Sequence, residues 1–203
     1  KGRYNVAVGE DALATQNFTT LTSSYNVAAG YAAGLSVTTG TENTLIGALS
    51  GDAITTGASN VALGVSSLGA NTVGSKAVAI GNQALTAQNY GTATDSFNTA
   101  VGFQAGLSVT TGIRNTIVGG NAGDALTDAD KNTVVGQGAL SADTLGSLST
   151  ALGYDALNVQ NFTTATNSYN TAVGAFAGAA VTTGTSNTFI GGVAGDLCTT
   201  GTG

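Results

Sequence analysis

The sequence predicts an all-β fold, a parallel β-solenoid (β-roll) of eleven stacked coils, and three observations lead to it. One five-residue phrase recurs along the chain: Asn, a β-branched residue, two apolar residues and Gly, as in Asn98–Gly102. The phrases recur at two fixed spacings, the shorter as from Gly30 to Gly47 and the longer as from Gly9 to Gly30, and both are too short for a pair of helices. The composition, with 31 Gly, no Pro, 8% charged and 42% hydrophobic residues, fits a thin core rather than disorder.

The closing glycines define the length of each coil. They are Gly9, Gly30, Gly47, Gly64, Gly81, Gly102, Gly119, Gly136, Gly153, Gly174 and Gly191. Three short coils follow each of the first two long coils, which makes a super-repeat that extends from Gly9 to Gly81 and again from Gly81 to Gly153. The super-repeats start near residues 5, 77 and 149, and the last is truncated. We therefore predict a single repeat domain over residues 1–203.

Each phrase predicts a short strand, because β-branched residues with period-two patterning favour an extended chain. Equivalent strands of successive coils are expected to stack in parallel about 4.7–4.9 Å apart, which gives a rod on the order of 50 Å long. Nine of the eleven strands begin with Asn, and stacked Asn side chains can hydrogen-bond along a ladder. The glycines supply the positive φ angles that the corners need.

Two apolar columns run along the predicted sheet on opposite faces of the strands. We expect the column just before the closing glycines to face the interior; it comprises Val8, Ala29, Ile46, Leu63, Ile80, Val101, Val118, Val135, Leu152, Val173 and Ile190. The column one residue earlier is then expected to face outward and to form an oligomer interface, because an exposed apolar ladder marks a contact surface. It comprises Ala7, Ala28, Leu45, Ala62, Ala79, Ala100, Ile117, Val134, Ala151, Ala172 and Phe189.

The phrase Val78-Ala79-Ile80-Gly81 resembles the head repeats of trimeric autotransporter adhesins and related repeats in bacteriophage tail fibres. The resemblance covers nearly the whole chain. It implies a left-handed β-roll, three chains around one axis, an extracellular location and an adhesive or fibre role. The coils here are longer than the usual head coil, and every fourth coil is longer again. The chain shows neither a coiled-coil stalk nor a membrane-anchor barrel, which favours a phage-type fibre or an excised segment.

The long coils carry the clearest candidate for ligand binding. Each contains Gln-Asn-aromatic followed by a second aromatic residue, and the candidate residues are Gln16, Phe18, Tyr25, Gln88, Tyr90, Phe97, Gln160, Phe162 and Tyr169. Aromatic faces stack on sugar rings, and amide side chains hydrogen-bond to hydroxyls. The alternative is that the rings fill the corner of the longer coil or pack between chains.

Other chemistry finds little support in the sequence. The chain has no His, so a Ser-His-Asp or Cys-His arrangement is excluded, and we predict no enzyme, no catalytic residue, no cofactor and no metal. Asp124, Asp128 and Asp130 cluster without a calcium-loop consensus. The net charge of −6 and five scattered basic residues argue against nucleic-acid binding, and no apolar run is long enough to span a membrane. Cys198 occupies an aliphatic slot of the repeat and is expected to be buried.

The leading hypothesis is a structural and adhesive fibre module, a homotrimer of a phage tail fibre or a bacterial surface adhesin that recognises a cell-surface glycan or receptor. One alternative is an ice-binding solenoid, suggested by partial Thr ladders such as Thr38-Thr39 and Thr55-Thr56. Another is a purely structural filament subunit with no ligand.

Overall fold

The computed structural model describes residues 2–203, which wind into eleven stacked coils. Each coil contributes one three-residue strand to a single parallel sheet. These strands are β2 (Val6–Val8), β4 (Val27–Ala29), β5 (Thr44–Ile46), β6 (Val61–Leu63), β8 (Val78–Ile80), β10 (Thr99–Val101), β11 (Thr116–Val118), β12 (Thr133–Val135), β14 (Thr150–Leu152), β16 (Thr171–Val173) and β17 (Thr188–Ile190). The predicted all-β solenoid is confirmed.

The long coils add three small two-stranded sheets. Their pairs are β1 (Gly2–Arg3) with β3 (Thr22–Ser23), β7 (Gly74–Ser75) with β9 (Thr94–Asp95), and β13 (Gly146–Ser147) with β15 (Thr166–Asn167). Residues 2–203 contain no helix, and therefore none that could cross a lipid bilayer.

The register of the large sheet follows the sequence repeat, so equivalent residues lie side by side in every coil. Ala100 of β10, for example, pairs with Ala79 of β8 and with Ile117 of β11. Residues of left-handed conformation bracket each strand. The closing glycines have φ between 122° and 143°, and the residue before each strand's Asn position has φ between 49° and 64°.

The two faces of the strand are the reverse of the prediction. The middle residue of each strand points into the coil, and the residue before the closing glycine points to solvent: Leu45 is fully buried, whereas Ile46 is 37% exposed and Leu152 is 43% exposed. The reason is the Asn at the start of the phrase. Asn26 and Ala28 are two residues apart and therefore share one face of the strand, and both are fully buried.

The predicted oligomer interface is therefore wrong in its residues. The column that was expected to face outward lines the core, and it comprises Ala7, Ala28, Leu45, Ala62, Ala79, Ala100, Ile117, Val134, Ala151, Ala172 and Phe189. Nine of these eleven residues are fully buried within the single chain. The other two belong to the first and last strands of the sheet: Ala7 is exposed and Phe189 is half-buried.

The opposite walls of each coil supply the rest of the core. Leu85, Val109 and Ile117 converge on Gly106, where a Cβ atom would lie 3.0–3.3 Å from all three side chains. This layer repeats along the rod, so one hydrophobic cluster runs continuously from Leu13 to Val181.

The buried Asn column forms the predicted ladder. The backbone N–H of Asn43 donates to Oδ1 of Asn26 at 2.9 Å, and Nδ2 of Asn43 donates to the Gly57 carbonyl at 2.9 Å. Seven Asn side chains of the column, between Asn26 and Asn170, each accept from a backbone N–H of the next coil and donate to a backbone carbonyl at the corner before that coil's strand. These bonds tie neighbouring coils together inside the rod.

Candidate functional site

The outward surface of the eleven-stranded sheet, called the sheet face below, belongs to the largest sheet of the rod. Its 22 positions comprise 15 aliphatic residues and seven Thr, with no charged residue. One column is Val6, Val27, Thr44, Val61, Val78, Thr99, Thr116, Thr133, Thr150, Thr171 and Thr188. The other is Val8, Ala29, Ile46, Leu63, Ile80, Val101, Val118, Val135, Leu152, Val173 and Ile190. All 22 are exposed or half-buried.

The dimensions of the sheet face are those of a contact surface. Ten inter-strand spacings and three residues per strand give a projected area of about 480 Å². Patches of this size on a monomer are often functional, and β-branched side chains on a flat sheet make a regular surface. The chemistry of the face therefore favours packing against another apolar surface over exposure to water.

The first aromatic residue of each long coil is a corner plug. Phe18, Tyr90 and Phe162 are each at most 8% exposed. The Tyr90 ring lies against Gly74, where a Cβ would be 2.7 Å from the ring, and its hydroxyl donates to the Gly112 carbonyl at 2.9 Å. Burial raises the pKa of Tyr90 to about 12. These rings are not available to stack on a ligand at the surface.

The predicted binding glutamines belong to the interior polar ladder. Gln88 and Gln160 are fully buried, and their Oε1 atoms accept from Nδ2 of Asn98 at 2.9 Å and of Asn170 at 2.8 Å. Gln16 is half-buried, and its Oε1 accepts from Nδ2 of Asn5 at 2.7 Å. The glutamines therefore hydrogen-bond within the chain, and the two fully buried ones cannot reach a surface ligand.

Of the two aromatic residues predicted to bind in each long coil, only the second is exposed. Tyr25, Phe97 and Tyr169 are 54%, 50% and 56% exposed. Tyr25 stacks on Tyr4 with ring centroids 5.3 Å apart, and the Lys76 ammonium lies 5.2 Å from the Phe97 centroid. These five residues belong to one column along the rod, which consists of the residue immediately before the Asn position of each strand and which we call the leading edge of the sheet face. The leading edge comprises Tyr4, Tyr25, Glu42, Ser59, Lys76, Phe97, Arg114, Lys131, Leu148, Tyr169 and Ser186.

Sequence reasoning missed a second set of exposed aromatic residues. They lie in the two positions after the closing glycines, which we call the trailing edge of the sheet face. Tyr31, Phe103, Tyr154 and Phe176 are 54%, 55%, 47% and 42% exposed there. The available signal was the recurrence of Tyr31 and Phe103 one super-repeat apart, each immediately after a closing glycine.

The acidic residues that are close in sequence and the single thiol each have contacts within the chain. Of the three acidic residues that cluster in the sequence, Asp128 accepts from the Thr111 hydroxyl at 2.6 Å, and Asp130 accepts from the Ile113 N–H at 2.8 Å. Residues 2–203 hold no group of three or more His, Cys, Asp or Glu side chains that could bind a metal ion. Cys198, expected to be buried, is only half-buried in the last coil, where it packs against the core from one side.

No family model, curated protein or solved structure matches this chain. Its function is therefore proposed from the surface chemistry of the rod.

Proposed function

We propose that the chain is a segment of a trimeric extracellular fibre, either a phage tail fibre or a bacterial surface adhesin, in which three rods pack their sheet faces around a common axis. The observation that carries the proposal is the sheet face, which runs over eleven coils without one charged residue. The number of chains comes from the resemblance of Val78–Gly81 to adhesin head repeats.

Packing of the sheet face removes apolar surface from water, which is the main favourable term in association. The seven Thr of the face do not oppose this, because a Thr side chain also presents a methyl group. The role that follows is mechanical. A continuous parallel sheet, an interior Asn ladder and a core without interruption give a stiff rod that holds a distal partner away from the surface that bears it.

Glycan recognition has a narrower basis than fibre formation. Five of the nine residues predicted to bind are buried, and Gln16 is half-buried. The exposed remainder of each long coil is a Thr-rich loop, such as residues 163–166. A glycan array probed with the assembled protein separates an adhesive fibre, which binds, from a purely structural filament, which does not.

The ice-binding alternative gains nothing from the structure. In each predicted Thr pair, the hydroxyl of the first Thr donates to a carbonyl of the next coil, as Thr38 does to Thr55 at 3.1 Å and Thr55 does to Thr72 at 3.1 Å. Groups engaged in this way are not presented as a free hydroxyl lattice.

The location of the interface is tested by one charge on the sheet face. Val118→Asp places like charges from several chains close together in a desolvated contact, which is costly. We expect light scattering after size exclusion to show loss of the trimer, with an unchanged circular dichroism spectrum. The matched control is Thr56→Asp, on a corner remote from the sheet face where Asp128 already occupies the equivalent position. A trimer that survives Val118→Asp contradicts the proposed interface.

A further inference from the structure

We infer that aromatic pairs between the leading edge of one copy and the trailing edge of the next fix the axial register of the assembled rods. The inference rests on the proposed function, and the occupant of both edges is a second copy of this chain. Three strands carry an exposed aromatic residue at each edge: β4 lies between Tyr25 and Tyr31, β10 between Phe97 and Phe103, and β16 between Tyr169 and Phe176.

If the copies form a closed ring around one axis, the symmetry of the ring determines which edges of neighbouring copies meet and at what height along the axis. Copies related by rotation about an axis parallel to the rods make a heterologous contact, so the leading edge of each copy faces the trailing edge of its neighbour. The ring closes only if neighbouring copies are related by rotation alone, with no translation along the axis. Residues that flank the same strand therefore lie at the same height and face each other across the boundary between copies.

At equal height, the aromatic residues meet in pairs. Tyr25 of one copy faces Tyr31 of the next, Phe97 faces Phe103, and Tyr169 faces Phe176. These three contacts recur every fourth coil, roughly 19 Å apart by the inter-strand spacing. A slip of one coil in either direction removes all three and leaves a single aromatic pair, either Tyr4 with Tyr31 or Tyr169 with Tyr154.

The charged residues of the edges also fit this register. The cations of the leading edge face amides of the trailing edge: Lys76 faces Asn82 and Gln83, and Lys131 faces Gln137. Arg114 likewise faces Asn121.

The anionic positions of the trailing edge meet no acidic partner. Glu10 and Asp11 face Tyr4, and Asp155 faces Leu148. In register, no leading-edge charge therefore meets a like charge.

The two edges bring the contact to the size that a stable complex needs. The widened contact surface of one copy is seven residues wide, from the leading edge to the first trailing position, and ten inter-strand spacings long. Its projected area is about 1,100 Å². Each copy divides this area between its two neighbours, so one pairwise interface buries about 1,100 Å² in total over both partners, above the roughly 1,000 Å² that a specific interface needs. A sugar-binding role for the exposed aromatics predicts no such pairing, since it does not require aromatic residues on both edges of the same strand.

Disulfide cross-linking tests the register with all aromatic residues in place. In a Cys198→Val background, Arg114→Cys with Gly120→Cys places thiols on the two edges of β11. A side chain at residue 120 meets only the Gln137 Cγ atom, at 3.9 Å. The three extended residues of β11 between the two positions span about 10 Å, more than the roughly 7 Å that a disulfide allows between Cα atoms, so we expect no bridge within one chain. We expect oxidation to give covalent dimers and trimers. The offset control, Arg114→Cys with Asn82→Cys, lies two coils out of register and is expected to give none.

Replacement of Tyr25, Phe97 and Tyr169 by Ser then tests the aromatic pairs themselves. Each pair contributes beyond its buried area, so we expect trimer association to weaken by roughly 100-fold or more, and the cross-link of the β11 pair to fall with it. A trimer that cross-links the offset pair, or that keeps its affinity and register after the triple replacement, overturns the inference alone. A monomeric parent protein overturns the proposed function and this inference together.

Discussion

The interior polar ladder differs between the second and third super-repeats at two residues around the buried glutamine, and in the second a buried donor has no partner. In the third super-repeat, Nε2 of Gln160 donates to Oγ of Ser149 at 2.9 Å and to Oδ2 of Asp143 at 2.6 Å. In the second, Ala77 stands in place of Ser149 and Asn71 in place of Asp143, and Nε2 of the buried Gln88 has no hydrogen-bond partner.

We predict that Ala77→Ser stabilises the protein by about 1 kcal/mol, because it supplies the missing acceptor to a buried amide. The measurement is the free energy of unfolding in guanidinium chloride. The control is Ala79→Ser, which puts a hydroxyl at a fully buried position in the apolar core and is expected to destabilise. Equal loss of stability in both variants would contradict the assignment.

Asp143 gives a pH-dependent prediction. Burial raises the pKa of Asp143, although N–H groups of Phe162, Gln160 and Gly146 donate to it. A folded pKa above the unfolded value means that ionisation costs stability, so its contribution falls as pH rises through that window and recovers on acidification.

Asp143→Asn removes this dependence, and Asn71 shows that an amide fits the equivalent site. We expect the variant to change less in stability than the wild type as the pH rises from about 3 to 7. Burial raises the pKa of Asp52 and Asp124 as well, so part of the wild-type slope remains. An unchanged slope in the variant would assign the effect to these other groups.

At the scale of the strand and its corner, the closing glycine is the most constrained residue. Gly119 has φ of 138°, and a Cβ there would lie 2.6 Å from the carbonyl of Gly136 in the next coil. Both the conformation and the close approach exclude a side chain.

We therefore predict that Gly119→Ala lowers stability by several kcal/mol, because left-handed strain and a backbone clash combine. Thermal unfolding followed by circular dichroism measures it. The adjacent Gly120→Ala is the control, since its Cβ meets only Gln137 at 3.9 Å, and we expect a change within about 0.5 kcal/mol. Similar melting of the two variants would show that the stack of glycines tolerates displacement.

The strand also shows what the sequence could not decide. The repeat length, the strand positions and the Asn ladder were all predictable, because each depends on spacing alone. The facing of Leu45 and Ile46 was not, since both are aliphatic and hydrophobicity does not distinguish them. The deciding residue is the buried Asn43, whose side chain shares a face with Leu45. A long coil presents the same difficulty, because a Tyr that plugs a corner and a Tyr that lies on an edge have the same sequence signal.

At the scale of the whole molecule, the rod has two different sides. The corners carry the charged residues and the Thr-rich loops of the long coils, whereas the sheet face is uncharged from β2 to β17. Repeat arrays gain stability from contacts between neighbouring units along the rod. Packing of rods side by side would add contacts between chains to those between coils. We therefore expect the rods to self-associate through the sheet face.

Sedimentation equilibrium of the wild-type protein over a dilution series tests this self-association. The chain has a mass of 19.6 kDa. We expect a single species of three times that mass that persists on dilution; a species of 19.6 kDa at every concentration would show that the rods do not associate.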